Sequence, residues 1–297
     1  MIAHRIVNKN TENRKMQAVV TKIRRTHFLT RHVPSMTAHD SLLHFLASPG
    51  VQAAYAAEPG RAFVSDITFP EGLTSAKLYV SARAPLFQPS AWWTALRGAG
   101  FTPTSAQTGR FLAALRVCKA TGALPWNVQA TWDARTGQWT DQIKIYLRCE
   151  HLPPLAPIEI RRLWEALGAT PAQAHLAAQD GAGVPIEGMA CTMDRDGAPL
   201  VFETYLQGEG TGHDCISVER TPDGQQTTCF YTHLGSHCRP DDLAPWMRVG
   251  LDMVEALCAL LPDPTPSAVA VVKTTPGQPD RQGVCVQTTP AQLGADL

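Results

Sequence analysis

No apolar run in this 297-residue chain approaches the roughly 20 residues of a membrane-spanning helix. No excess of one charge is present either, since 26 Lys and Arg balance 26 Asp and Glu. Nucleic-acid binders usually carry a basic surplus, and membrane-surface anchors a polybasic cluster, so neither partner class is expected. The eight cysteines (Cys118, Cys149, Cys191, Cys215, Cys229, Cys238, Cys258 and Cys285) include no CxxC pair. With no apolar h-region ahead of them, they read as free, mostly buried thiols in a cytoplasmic protein. The early cations Lys9, Arg14, Lys15, Lys22, Arg24 and Arg25 read as the solvated face of a first helix. Tyrosine is scarce too, at five residues, and the places where it falls carry information.

What is present suffices for a large core. The chain is 44% hydrophobic and is expected to form a single domain over residues 1–297. Helical spacing runs over 11–28 and 37–57, the second stretch breaking near Pro49-Gly50. The apolar period then falls from 3.6 to 2. "AFVSDITF" and "LTSAKLYVSAR" read as two strands turning at Pro70-Glu71-Gly72. "WNVQATWDA" and "QWTDQIKIYLR" form a second pair, turning at Arg135-Thr136-Gly137. "IEGMACTM" with "APLVFETYLQ", "CISVERT" with "QQTTCFYTHL", and "SAVAVVKT" with "QGVCVQT" complete five hairpins. Helical stretches stand between most of them: "PSAWWTALRGAG", "SAQTGRFLAALRVCKATG", "APIEIRRLWEALG", "TPAQAHLAAQ", and about Pro240 to Leu261. The pattern predicts an α+β fold. Repeated αββα units would build a ten-stranded antiparallel β-barrel with its helices outside, since closure removes exposed strand edges.

The second strands of four hairpins share a face. "KLYVSAR", "KIYLR", "ETYLQ" and "CFYTH" place Tyr79, Tyr146, Tyr205 and Tyr231 at matching positions. Two residues earlier stand Lys77, Lys144, Glu203 and Cys229, and two residues later Ser81, Arg148, Gln207 and His233. Alternate strand residues face opposite sides, so the tyrosines and charges share one face and the aliphatic residues between them the other. A sheet with one wet face would explain any single strand, because Tyr and Lys are ordinary strand residues. It explains less well why four of five tyrosines fall in register, which points to the inner wall of a barrel. Lysine and arginine there suit a diphosphate, through charge-assisted hydrogen bonds. Neighbouring aromatic faces suit a carbocation.

On these residues the chain resembles the cyanobactin-type peptide prenyltransferases, members of the ABBA or PT-barrel superfamily. "WDARTGQWTDQIKIYLR" is the closest stretch, and "LTSAKLYVSA", "FETYLQ" and "CFYTHL" follow in the same order. The resemblance implies transfer of a dimethylallyl or geranyl group from its diphosphate onto a ribosomally made, often cyclic, peptide. Lys77, Lys144, Arg148 and His233 would grip the diphosphate. Tyr79, Tyr146, Tyr205 and Tyr231 would shield the cation. Asp66 in "FVSDITF" is the nearest match to the family's base, with Glu203 as the other candidate. Gly212 falls near a position that limits donor length, and a small residue there would leave room for geranyl. No organic cofactor is implied. There is no DDxxD-type motif, so any Mg²⁺ would be carried mainly by the diphosphate. A monomer is expected.

Three rival readings remain. His213, Cys215, His233, His237 and Cys238 lie close in sequence and could form a zinc site. A barrel of the same fold could prenylate small aromatic molecules. It could also bind a ligand without chemistry.

Overall fold

The computed structural model describes residues 45–56, 60–69, 72–73, 75–82, 89–181, 183–208, 213–233 and 264–290. Its contacts divide the chain into Met1–Thr37 and Ala38–Leu297, and every described residue belongs to the second unit. The helices expected over 11–28 and from Pro240 to Leu261 lie outside the described residues, as does Gly212.

Alternation of apolar and polar residues gives strands where the period is 2. They are β1 (Gly60–Phe69), β2 (Gly72–Leu73), β3 (Ser75–Ala82), β4 (Leu124–Asp133), β5 (Gln138–Arg148) and β6 (Ile186–Met193). Then come β7 (Pro199–Gln207), β8 (Cys215–Arg220), β9 (Gln226–His233), β10 (Pro264–Thr274) and β11 (Arg281–Pro290). They form one antiparallel sheet in the order β11-β10-β9-β8-β7-β6-β5-β4-β3-β1-β2. β1 pairs with β11 as well, from Val64 opposite Thr288 to Thr68 opposite Val284, so the sheet curls round and closes on itself. The first hairpin differs from its sequence reading at Gly72. Instead of ending the turn, Gly72 and Leu73 pair back onto Phe69 and Thr68 as the short strand β2.

Helices form where the period lengthens and a cap is available. α1 (Pro49–Ala56) precedes β1, starting at the expected break. α2 (Pro89–Gly98) and α3 (Ser105–Thr121) join β3 to β4, and α4 (Pro157–Ala166) and α5 (Pro171–Asp180) join β5 to β6. The Thr104 hydroxyl accepts from the Gln107 amide at the start of α3, and Gln107 returns the bond to the Thr104 amide. α3 stops at Gly122, whose φ of 84° is the left-handed cap that a glycine enters without a Cβ penalty. Thr170 caps α5 in the same way, ahead of a proline at the first turn.

The helices cover one face of the sheet. Leu78 and Val80 of β3, Ile145 and Leu147 of β5, and Met189 of β6 are fully buried beneath them. Each such side chain contributes about 1.5–3 kcal/mol by leaving water. Trp92 of α2 packs on Phe111 of α3 at 5.3 Å between rings, and Trp164 of α4 meets Phe202 of β7 edge-on, also at 5.3 Å. Arg220 of β8 forks onto Asp180 at the end of α5, with contacts of 2.5 and 2.6 Å. No helix among the described residues is long and apolar enough to cross a membrane. The face turned away from the helices carries the tyrosines.

Candidate active site

Tyr79, Tyr146, Tyr205 and Tyr231 stand on β3, β5, β7 and β9, every second strand of the sheet. Strands two apart lie nearly 10 Å from each other at the backbone. The ring centroids nevertheless follow one another at 5.7, 6.1 and 6.5 Å. Curling of the sheet brings inner side chains together, and the strands in between leave room. Ala190 of β6 lies opposite both Tyr146 and Glu203, Gly188 lies opposite Arg148 and Tyr205, and Ser217 of β8 lies opposite Tyr205 and Cys229. Small residues on the intervening strands let large ones meet above them. Trp126 of β4 joins the group edge-on, 6.4 Å from the Tyr146 ring.

Two ion pairs run beside the tyrosines. Lys144 Nζ lies 2.5 Å from Glu203 Oε1, with side chains only 9% and 7% exposed. The Tyr205 hydroxyl joins both partners, accepting from Lys144 Nζ at 3.3 Å and donating to Glu203 Oε2. The same ammonium sits 4.8 Å from the Tyr146 ring centroid and 5.9 Å from that of Tyr205. Tyr146 donates from its hydroxyl to Gln129 Oε1 at 2.7 Å and lies 3.4 Å from the Tyr79 hydroxyl. On the next strands, Lys273 Nζ lies 2.9 and 3.3 Å from the Glu219 carboxylate oxygens. The Cys229 thiol donates to Glu219 Oε1 at 3.1 Å, and Ser217 meets the Tyr231 hydroxyl at 3.3 Å.

Burial and pairing set the protonation of these groups. Burial lowers the Lys144 pKa, Glu203 pulls it back up, and the charge of Lys77 pushes it down again. Burial alone would raise Glu203, but the Lys144 charge and hydrogen bond, the Tyr205 hydroxyl and Lys273 hold it below the ordinary carboxylate range. Lys273 is raised: burial works against its charge, and Glu219 more than offsets that. Tyr146, Tyr205 and Tyr231 are all pushed well above the ordinary phenol value, first by burial and then by neighbouring ionisable groups. The site is therefore a row of neutral phenols beside two lysine–glutamate pairs.

The remaining candidates are placed as follows. Lys77 is half-buried on β3, near enough for its charge to act on Lys144. Arg148 ends β5, half-exposed, bonded to Glu150 and 6.0 Å from the Trp126 ring. His233 ends β9, exposed, its amide donating to Asp214 Oδ2 at 2.5 Å. Asp66 pairs with Val286 in the β1–β11 register, one residue out of step with Ser65, the partner of Lys77. Its side chain lies outside the described residues, so Glu203 is the candidate base whose surroundings are described. Of the proposed zinc ligands, His213 bonds Thr232 Oγ1 through Nδ1 at 2.9 Å and its ring packs on Phe230 at 5.0 Å. His237 and Cys238 lie outside the described residues. Among the described residues no group of three or more His, Cys, Asp or Glu stands where it could hold an ion.

Sequence reading missed Trp126, Gln129, Glu219 and Lys273. Lys273 had a signal, since it follows the apolar run of "SAVAVVKT".

No family model matches this sequence, and no curated protein matches it. Among solved structures, the chain is similar to 5-dimethylallyltryptophan synthase from Streptomyces coelicolor. The identity is 10% and the TM-score 0.41, over 86% of this chain and 91% of that one. A likeness that weak assigns neither an activity nor a role to any residue.

Proposed function

We propose that this chain is a prenyltransferase built on a ten-stranded barrel of αββα units. It moves a dimethylallyl or geranyl group from its diphosphate onto a side chain of a ribosomally made, cyclic peptide. The observation that carries this reading is the tyrosine row with one buried and two half-buried lysines along it, on the face turned away from the helices. Few ligands need several cations and several aromatic faces in one dry place. An allylic diphosphate needs both, the cations for its leaving group and the aromatic faces for the carbocation left behind.

The residues divide the chemistry. Lys77, Lys144 and Lys273 offer charge-assisted hydrogen bonds to the diphosphate, with Arg148 and His233 at strand ends as further donors. As the allylic C–O bond breaks, its electron pair leaves with the diphosphate, which the lysines stabilise. The positive charge then lies against the faces of Tyr146, Tyr205 and Tyr231, each contributing on the order of 1–2 kcal/mol in a desolvated site. Neutral phenols suit this task, because a phenolate would be alkylated itself. The acceptor nucleophile closes on the allylic carbon and passes its proton to Glu203. Mg²⁺ would offset diphosphate charge. The described site offers it poor protein ligands, because Glu203 and Glu219 are already held by lysines. A bound Mg²⁺ would therefore travel on the diphosphate, and no step here depends on it. Gly212, by the family resemblance, leaves space for the longer donor. The enzyme would act in the cytoplasm as a monomer.

The test is incubation with dimethylallyl and geranyl diphosphates and a panel of cyclic peptides and free aromatic amino acids, read by mass spectrometry. A mass gain of one dimethylallyl or one geranyl group on a peptide supports the proposal. Gain only on the free amino acids replaces the peptide acceptor with a small one. The absence of any adduct, together with no binding of either diphosphate, overturns the reading.

A further inference from the structure

Two lysines that a diphosphate would need, Lys144 buried and Lys273 half-buried, are already occupied. Lys144 Nζ lies 2.5 Å from Glu203, and Lys273 Nζ lies 2.9 Å from Glu219. A buried ammonium left alone is costly, so before any donor arrives these carboxylates supply the compensating charge. A diphosphate brings more negative charge and more acceptor oxygens than one carboxylate, and must displace them. The two pairs also act on each other, Lys273 on Glu203 and Glu219 on Lys144.

We propose that Glu203 and Glu219 are displaceable guards on Lys144 and Lys273, and that donor binding releases Glu203 to act as the base. This rests on the prenyltransferase reading and deepens it. When Lys144 turns to the diphosphate, Glu203 loses the cation that stabilised its charge and gains an anionic neighbour. Both changes raise its affinity for a proton. The Tyr205 hydroxyl, which donates to Glu203 Oε2 while Lys144 contacts Oε1, keeps the carboxylate oriented through the exchange. The base therefore becomes competent only when a donor is present. During transfer the donor C–O bond breaks, the bond from the acceptor nucleophile to the allylic carbon forms, and the acceptor proton moves to Glu203. Glu203 then passes this proton to the departing diphosphate, and the Lys144–Glu203 pair re-forms as the diphosphate leaves, which speeds product release.

Titration calorimetry with inorganic diphosphate and with dimethylallyl diphosphate, without acceptor, separates the possibilities. Glu203→Gln removes the competing charge and keeps the shape, so both ligands are expected to bind about tenfold tighter than to wild type. That gain disappears in a Lys144→Met background, while single-turnover transfer by Glu203→Gln is lost despite the tighter binding. A folded Glu203→Gln protein that binds no tighter than wild type overturns the proposal. Should that variant not fold, Glu219→Gln on the more exposed pair carries the same test, its gain disappearing with Lys273→Met. The two readings fail differently. If no form binds either diphosphate, both are overturned. If wild type binds through Lys144 and neither glutamine variant tightens, only the guard role is.

Discussion

Lys144 concentrates the chemistry of the site in one ammonium group. It is nearly sealed from water, it touches Glu203 and Tyr205, and the Tyr146 ring lies 4.8 Å away. Removing it should have two separable effects. Lys144→Met leaves Glu203 charged and buried without its cation, which costs about 3–5 kcal/mol in stability. The double variant Lys144→Met/Glu203→Leu restores most of that, because an apolar pair of similar volume replaces a buried ion pair at little cost. Donor binding stays lost in both. Urea unfolding beside diphosphate titration checks this; a double variant as unstable as the single one would contradict it. Acid gives the matching sign. The folded-state pKa of Glu203 is depressed, so its stabilisation is full above the unfolded value of about 4.3 and is lost as pH falls through the lower folded value. The stability gap between wild type and the double variant should therefore change little from pH 7 to 5 and move against wild type below about pH 4.

At the scale of elements, a strand contributes as much by what it lacks as by what it carries. β6 presents Gly188 and Ala190 between the large residues of β5 and β7. A Cβ on Gly188 would come within 2.8 Å of the Leu147 carbonyl oxygen, a backbone atom that cannot move aside cheaply. Ala190 is fully buried among Tyr79, Tyr146 and Tyr205. Ala190→Leu is expected to separate Lys144 from Glu203 and to abolish diphosphate binding, with a smaller loss of stability than Gly188→Val; equal effects of the two on binding and folding would argue against it. The four tyrosines were legible in the sequence because strand alternation is strict wherever the ladder is regular. Trp126 was not, because the β4–β5 register shifts between Pro125 and Asn127, and such an irregularity breaks the alternation that sequence reading relies on. Gln107 was equally hidden. Its position says helix, but its buried side chain donates to the carbonyls of both Asp141 and Asp194, each at 2.9 Å, and so pins α3 to β5 and to the turn after β6. Gln107→Leu removes both of these bonds and the one Thr104 N–H donates to its Oε1, and should cost about 2–3 kcal/mol in a thermal or urea melt without altering donor affinity.

On the scale of the whole described sheet, closure is what turns separate hairpins into one unit. The hairpins were legible in the sequence because their strands and turns are local. The Lys273–Glu219 pair was not, because it joins residues 54 apart that only the β8–β9–β10 order brings together. A closed ring has no free edge from which to peel, so its opening should be cooperative. The cysteines report on this. Cys118 lies on α3, Cys149 just after β5, Cys191 on β6, Cys229 on β9 and Cys285 on β11, and all five are buried. Burial pushes the thiols of Cys118, Cys149 and Cys229 up to about 12, and raises Cys191 as well, so thiolate is scarce at neutral pH. Alkylation followed site by site by peptide mass spectrometry across a urea series should then find these cysteines silent until one shared midpoint, where all react together. Early reaction of Cys229 and Cys285 alone would show that β9 to β11 open as a separate unit. The ring would then be only as strong as its β1–β11 closure.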